Sequence, residues 1–277
     1  MVQPTRPAQP RVWFVTGAGR GFGREFTRAA LAVGDRVVAT ARRPHVMDDL
    51  VAEHGDDLVV LPLDVDDRAA VFAAVERAVA AFGRLDIVVN NAGYGLLGMV
   101  EEVTEAEVRA QMDTNFFGAL WVTQAVLPHL RAQGSGHIVQ ISSLGAHLGF
   151  ASTGLYGASK WALEGMSEAL AHEVARFGIR VTLVEPGGYA TEWGANLHMA
   201  AQSEAYAPLY AELAQMWGEV TDGDPAKVAE AVLTLVDSDE PPMRLLLGSL
   251  AYDTAMDVAR RRVAEWERWE AVSRAAD

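Results

Sequence analysis

The chain contains no cysteine, which excludes disulfides, thiolate nucleophiles and cysteine-bound zinc. Histidine is sparse, seven in 277 residues, and none stands in an HExxH or similar ligand spacing, so no metal site is expected. Positive charge is also in short supply. The 23 Lys and Arg against 37 Asp and Glu leave a net charge of −14, which argues against nucleic acid as a partner because its phosphates would be repelled. No apolar run approaches the ~20 residues of a membrane span. The opening MVQPTRPAQPR lacks the apolar stretch of a signal peptide, and residues 1–10 read as a disordered lead. A cytoplasmic enzyme or binding protein is the expectation.

What is present alternates between strand and helix. Apolar, β-branched runs at 12–15 (VWFV), 36–41 (RVVATA), 58–63 (LVVLPL), 85–90 (LDIVVN), 137–142 (HIVQIS), 179–185 (IRVTLVE) and 243–248 (MRLLLG) predict seven strands. Helical patterns lie between them. Thr104, with Glu107 three residues on, reads as a capping box that opens a long helix to about Gln133. Asp224-Pro225 opens another, with Pro in the first turn. The segment 187–222 is less regular, and a charged helix at about 254–273 closes the chain. Such alternation implies right-handed βαβ units: an α/β fold with a doubly wound, Rossmann-like, seven-stranded parallel sheet covered by helices on both faces. No repeat or composition break divides residues 11–277, which read as one domain.

The first strand runs straight into VTGAGRGFGRE, which supplies Thr16, Gly17, Gly19, Arg20, Gly21, Phe22 and Gly23 at the start of a helix. Free N–H groups and the helix dipole there suit a phosphate, and glycine lets the backbone approach it. The spacing is TGxxxGxG, which fits either a dinucleotide turn or a tight β–α turn with no ligand. After the second strand, where an acid would accept from the ribose of NAD, stand Ala41, Arg42 and Arg43. Arg42, with Arg20 as a second cation, favours the 2′-phosphate of NADP(H) over NAD(H); solvated surface arginines are the alternative.

GLYGASKWALEG places Tyr156 and Lys160 one helical turn apart. Carbonyl reduction needs a proton on oxygen, and an adjacent ammonium lowers a phenol from its ordinary value of roughly 10. By itself YxxxK also fits a polar stripe on an ordinary helix. The glycine turn, LPLDV, NNAG, the paired Ser with YxxxK, and PGG together, in this order over about residues 11–250, resemble the classical short-chain dehydrogenase/reductase family. The resemblance implies a catalytic tetrad of Asn115, Ser143, Tyr156 and Lys160. It implies that Asp64 and Val65 hold the adenine, and that Asn91, Ala92 and Gly93 lie along the ribose. It also implies that Pro186, Gly187, Tyr189 and Thr191 lie near the nicotinamide. A water held by Asn115 would link Lys160 to solvent.

The resemblance further implies a substrate lid at about 188–223. Trp193, His198, Met199, Tyr206 and Trp217 there could line an apolar cleft with Tyr94, Leu144, His147 and Phe150; packing of the lid onto the body is the alternative. Ser143 and Tyr189 would face the same substrate. A bulky, uncharged ketone, aldehyde or alcohol is expected, turned over by a homodimer or homotetramer that pairs through its long helices. Two other readings remain at this point: an NADP-binding redox sensor without turnover, and an epimerase or dehydratase on nucleotide sugars.

Overall fold

The computed structural model describes residues 9–189, 197–218 and 223–277. In chain order the elements are β1 (Val12–Val15), α1 (Gly21–Ala32), β2 (Arg36–Ala41), α2 (Asp48–His54), β3 (Leu58–Pro62), α3 (Arg68–Phe82), β4 (Ile87–Asn90) and β5 (Leu96–Leu97). There follow α4 (Glu105–Met112), α5 (Ala119–Gln133), β6 (Gly136–Ile141), α6 (Gly154–Val174), β7 (Ile179–Pro186), β8 (His198–Met199), α7 (Ala207–Gly218), α8 (Pro225–Val236), β9 (Arg244–Leu247) and α9 (Ser249–Arg274).

Seven strands form one parallel sheet in the order β3-β2-β1-β4-β6-β7-β9. All four residues of β1 are buried, as a strand covered on both faces requires. Its side chains alternate between two cores. Trp13 and Val15 pack under α1 and α8 with Phe26, Val232 and Leu235. Val12 and Phe14 pack under α3, α5 and α6 with Val75, Val126 and Leu170. Strand order reverses between β1 and β4, so a crevice opens at their carboxyl ends, where an open α/β sheet binds its ligand.

The seven expected strands are all present; β3, β4 and β9 are shorter by one or two residues, β6 is shifted by one, and β7 runs one residue further to Pro186. The irregular segment after β7 contains more order than its pattern suggested. His198–Met199 pairs in parallel with Leu96–Leu97, and α7 follows. The closing helix begins at Ser249, five residues earlier than its charged stretch indicated.

The buried edge of β1 is tied by charge. Arg11 donates from its backbone N and its Nε to the Asp35 carboxylate, each at 3.1 Å, and Trp13 Nε1 donates to the same group at 2.9 Å. Arg11 Nη1 meets Asp237 after α8 at 2.5 Å. Arg11 therefore joins the start of β1 to the α1–β2 turn through Asp35 and to the end of α8 through Asp237. Removing one partner of a buried pair leaves an uncompensated charge. Asp35→Ala is expected to lower unfolding free energy by about 3–5 kcal/mol in urea titration. A loss below about 1 kcal/mol would mean that Arg11 finds its compensation elsewhere.

Candidate active site

Four segments converge at the carboxyl end of the sheet. The first is the glycine turn. Thr16 is buried, and its hydroxyl accepts from Asn91 N at 3.0 Å and Ala92 N at 3.1 Å. Asn91 Nδ2 returns to the carbonyls of Thr16 and Gly17. The turn and the NNAG segment are thus one hydrogen-bonded unit. Gly17 has φ +65°, and a Cβ there would lie 2.9 Å from Ala92 Cα. A Cβ on Gly23 would lie 2.5 Å from the Gly17 carbonyl oxygen, so backbone blocks any side chain there.

The first turn of α1 has no capping side chain and no acidic residue, whereas Asp67, Thr104 and Asp224 cap α3, α4 and α8. Its N–H groups and dipole therefore remain available to an anion. Arg20, Arg42 and Arg43 are exposed on this rim and make no ion pair with described residues. The charge of Arg42 reaches Asp66 and Tyr94. These features fit a phosphate-bearing dinucleotide. Arg24, which the sequence did not single out, braces the rim by donating to Val46 O and pairing with Asp49.

Asp64 is exposed after β3 and accepts from Asp66 N at 3.3 Å, while Val65 is buried. Val65 packs so closely on Gly118 that a Cβ there would lie 2.7 Å from Val65 Cγ2.

The second segment is the helix break around Asn115. Residues 113–118 form a single π turn between α4 and α5, a feature that often marks function. Asn115 is buried there. Its Oδ1 accepts from Tyr94 N and its Nδ2 donates to Tyr94 O, both at 3.0 Å, so the amide pairs with the chain after β4 much as a strand edge would. Nδ2 also reaches Ser159 Oγ at 3.1 Å, and Ser159 Oγ donates to Tyr156 O at 2.7 Å. Gln111, one turn before Asn115, donates to the same Tyr94 carbonyl. Gln111 and Ser159 were missed in the sequence. Their helical spacing from Asn115 and Tyr156 was the available signal.

The third and fourth segments are the loop after β6 and the start of α6. Ser143 Oγ accepts from Gly145 N at 3.1 Å and is hydrogen-bonded to the Tyr156 phenol. Lys160 is 6% exposed, and its Nζ donates to Ile141 O, the last residue of β6, at 2.8 Å. Burial pulls the ammonium down to about 8, with Glu164 one turn along opposing. Tyr156 is half-buried. The protein packed round its phenol pushes it up to about 12, with the Ser143 hydrogen bond opposing. The sequence suggested a lowered phenol. The fold by itself does the reverse, because Nζ is committed to Ile141 O and lies 5.9 Å from the ring centroid, so desolvation dominates.

β7 ends in Pro186, and Gly187 and Tyr189 follow. The Tyr189 ring stands edge-on to Phe22 at 5.4 Å, which brings the end of β7 onto the glycine turn. A Cβ on Gly223 would lie 2.6 Å from Tyr189 Cε1, so glycine there leaves room for the ring.

The expected substrate residues divide. Tyr94 and His147 are half-exposed near the tetrad. Leu144 is buried against Ala251 and Ala255 of α9 with Phe150 beside it, so these two pack the last helix. His198 pairs with Glu107 at 2.7 Å, Met199 is exposed, and the Tyr206 hydroxyl donates to Glu101. His198 and Tyr206 thus tie the 197–206 segment to the first turn of α4 and to the chain before it, while the Met199 side chain faces solvent. Thr191, Trp193 and the Trp217 side chain lie outside the described residues.

The short chain dehydrogenase family model matches residues 11–202. The chain is 40% identical to "Oxidoreductase BOA17" of Botryotinia fuckeliana, covering 96% of this chain and 99% of that one. It is 38% identical to the "3-ketodihydrosphingosine reductase" of Bacteroides thetaiotaomicron, covering 87% and 89%. A short-chain dehydrogenase structure from Streptomyces avermitilis superimposes with TM-score 0.92 at 41% identity over 98% of this chain and all of that one. A serine dehydrogenase solved with NADP+ aligns with TM-score 0.75 at 30% identity, covering 85% and 94%. With the seven-stranded sheet and the site at its carboxyl edge, these likenesses make the chain an oxidoreductase of the short-chain dehydrogenase family.

Proposed function

We propose that the protein is an NADP(H)-dependent carbonyl/alcohol oxidoreductase in which Tyr156 is the general acid and base. The observation that carries this is the convergence of four groups beside the glycine turn: Ser143 on the Tyr156 phenol, Lys160 on Ile141 O, and Asn115 joined to α6 through Ser159. When bound, the cofactor supplies or accepts the hydride. Thr16 to Gly23, Asp64, Val65, Asn91 to Gly93, Pro186, Gly187 and Tyr189 would hold it, and Arg20 and Arg42 would meet its 2′-phosphate.

In reduction Ser143 donates to the carbonyl oxygen and orients it, and Tyr156 delivers the proton. The Lys160 ammonium favours the phenolate and so assists proton loss from Tyr156; the neutral amine withdraws that assistance. Asn115 holds the turn through which protons return to Lys160. The substrate is a bulky, uncharged ketone, aldehyde or alcohol, a reading supported by the reductase relative named for 3-ketodihydrosphingosine. Residues 11–277 act as one catalytic unit with a lid at 188–223. It works in the cytoplasm as a homodimer or homotetramer through α5 and α6.

Tyr156→Phe is expected to reduce kcat for an aryl ketone such as acetophenone by a factor of roughly 10² to 10⁴ while NADPH still quenches protein fluorescence. Wild-type rates in this variant would remove Tyr156 from the proton step.

The pH profile follows from the two shifts. A phenol held at about 12 stays protonated through neutrality, so the acid form is present for reduction. The Lys160 ammonium, pulled to about 8, is charged below that value and neutral above it. kcat/KM for reduction is expected to decline as pH rises through about 8, whereas alcohol oxidation, which needs the phenolate, increases. A reduction profile flat from pH 6 to about 10 would separate Lys160 from the rate.

Arg42→Asp should weaken NADPH by roughly tenfold or more, the worth of one charge-assisted bond, and leave NADH unchanged or tighter. Equal losses for both cofactors in a fluorescence titration would refute a 2′-phosphate role.

A further inference from the structure

Behind Ser143 lies a charged cluster that neither hydride transfer nor cofactor binding uses. The Glu185 side chain, near the end of β7, is 0% exposed. Its carboxylate lies 2.8 Å from His147 Nε2 and 3.7 Å from Arg244 Nε on β9. Arg244 is shared, because it also meets Glu164 and Glu168 of α6, each at 2.9 Å. One guanidinium thus serves three carboxylates. Among the described residues His147 is the other cation paired with Glu185, and the pairing raises His147 above the ordinary imidazole value. A fully buried carboxylate is tolerated only beside its counter-charge, so the imidazole cannot drift from it without cost.

His147 belongs to the loop that carries Ser143, and that loop is fastened by two of its carbonyls. Trp161 Nε1 donates to Gly145 O at 3.2 Å. Arg262 of α9 donates to His147 O at 2.8 Å and lies over the Trp161 ring. The His147 side chain adds a tie from this loop to Glu185 near the end of β7, which Pro186 and Gly187 follow.

We propose that His147 and Glu185 are a positioning pair, in which the buried carboxylate holds the loop after β6 against the end of β7 and so fixes the Ser143 hydroxyl at the cleft. The inference rests on the proposed role of Ser143. Neither residue of the pair needs to touch substrate; a small displacement of the loop moves the Ser143 donor off the carbonyl oxygen. The tie is strongest with His147 protonated. It is complete at low pH and fades as pH rises through the raised His147 value, leaving Arg244 and Glu164 facing Glu185 and Arg262 on the His147 carbonyl.

The experiment uses the full chain with NADPH and acetophenone as probes. His147→Ala, His147→Gln and Glu185→Gln are compared by amide hydrogen exchange over residues 143–149 and by kcat against pH. In His147→Ala the exchange accelerates and kcat falls by roughly tenfold to a hundredfold, with NADPH affinity unchanged. His147→Gln, whose amide can donate to Glu185 but does not titrate, regains most of the rate and loses the alkaline decline that the pair contributes. Glu185→Gln follows His147→Ala; should it fail to fold, the two His147 variants carry the test. Unchanged exchange in His147→Ala would overturn the proposal, and so would a His147→Gln profile identical to wild type in its pH dependence. If the wild type reduces no ketone, the active-site reading falls, while the exchange comparison still decides whether the pair holds the loop.

Discussion

A primary ammonium held away from water is the constraint around which the site is organised. Lys160 is almost wholly buried, and a charged amine there needs a fixed acceptor. The fold supplies the carbonyl of Ile141, where β6 ends. That bond sets the rotation of α6 against the sheet. Tyr156 then lies one turn before the amine and Glu164 one turn after, on the same face. Ser143, two residues beyond Ile141, is delivered to the Tyr156 phenol by the same strand end. One strand terminus therefore places three side chains.

The opposite wall is built by a departure from regular helix. A continuous α-helix through 105–133 would keep every backbone group in its own ladder. The π turn at 113–118 admits Asn115 as a substitute partner for the Tyr94 backbone, and its amide satisfies both a donor and an acceptor there. The packing leaves no slack. A Cβ on Gly93 would lie 3.1 Å from Asn115 Oδ1 and 3.7 Å from Lys160 Nζ. The chain after β4, the helix break and α6 consequently behave as one hydrogen-bonded body through Ser159.

Local rules make much of this legible in the sequence alone. Buried parallel strands are β-branched runs, so β2 and β7 stand out in the sequence. The capping box at Thr104 and Glu107 is present with both of its hydrogen bonds. Tyr156 with Lys160, and Ser143 after a strand, were visible because their relation is one turn or one strand end. Contacts between distant segments left no such trace. Glu164 meets Arg244, and Trp161 meets Arg262, only after β9 and α9 have folded back. Leu144 and Phe150 have the same apolar chemistry whether they line a cleft or seat a helix, and tertiary packing decided for the helix. The two-residue strands β5 and β8 are too short for periodicity to register.

The two perturbed groups at the centre have one cause. Exclusion of water disfavours any charged form, so it raises the Tyr156 phenol and lowers the Lys160 ammonium together. Acting alone, the chain thus stores an acid, a protonated phenol hydrogen-bonded to Ser143. A base at the same position requires positive charge close to the phenol, which reverses the balance by favouring the phenolate. The same water exclusion strengthens that effect, because charges interact more strongly where the dielectric is low. The Tyr156 phenol is therefore the group whose charge state its surroundings tune. Its protonation state answers to the charge beside it, and the low-dielectric setting that the Lys160–Ile141 contact helps to enclose sets how strongly.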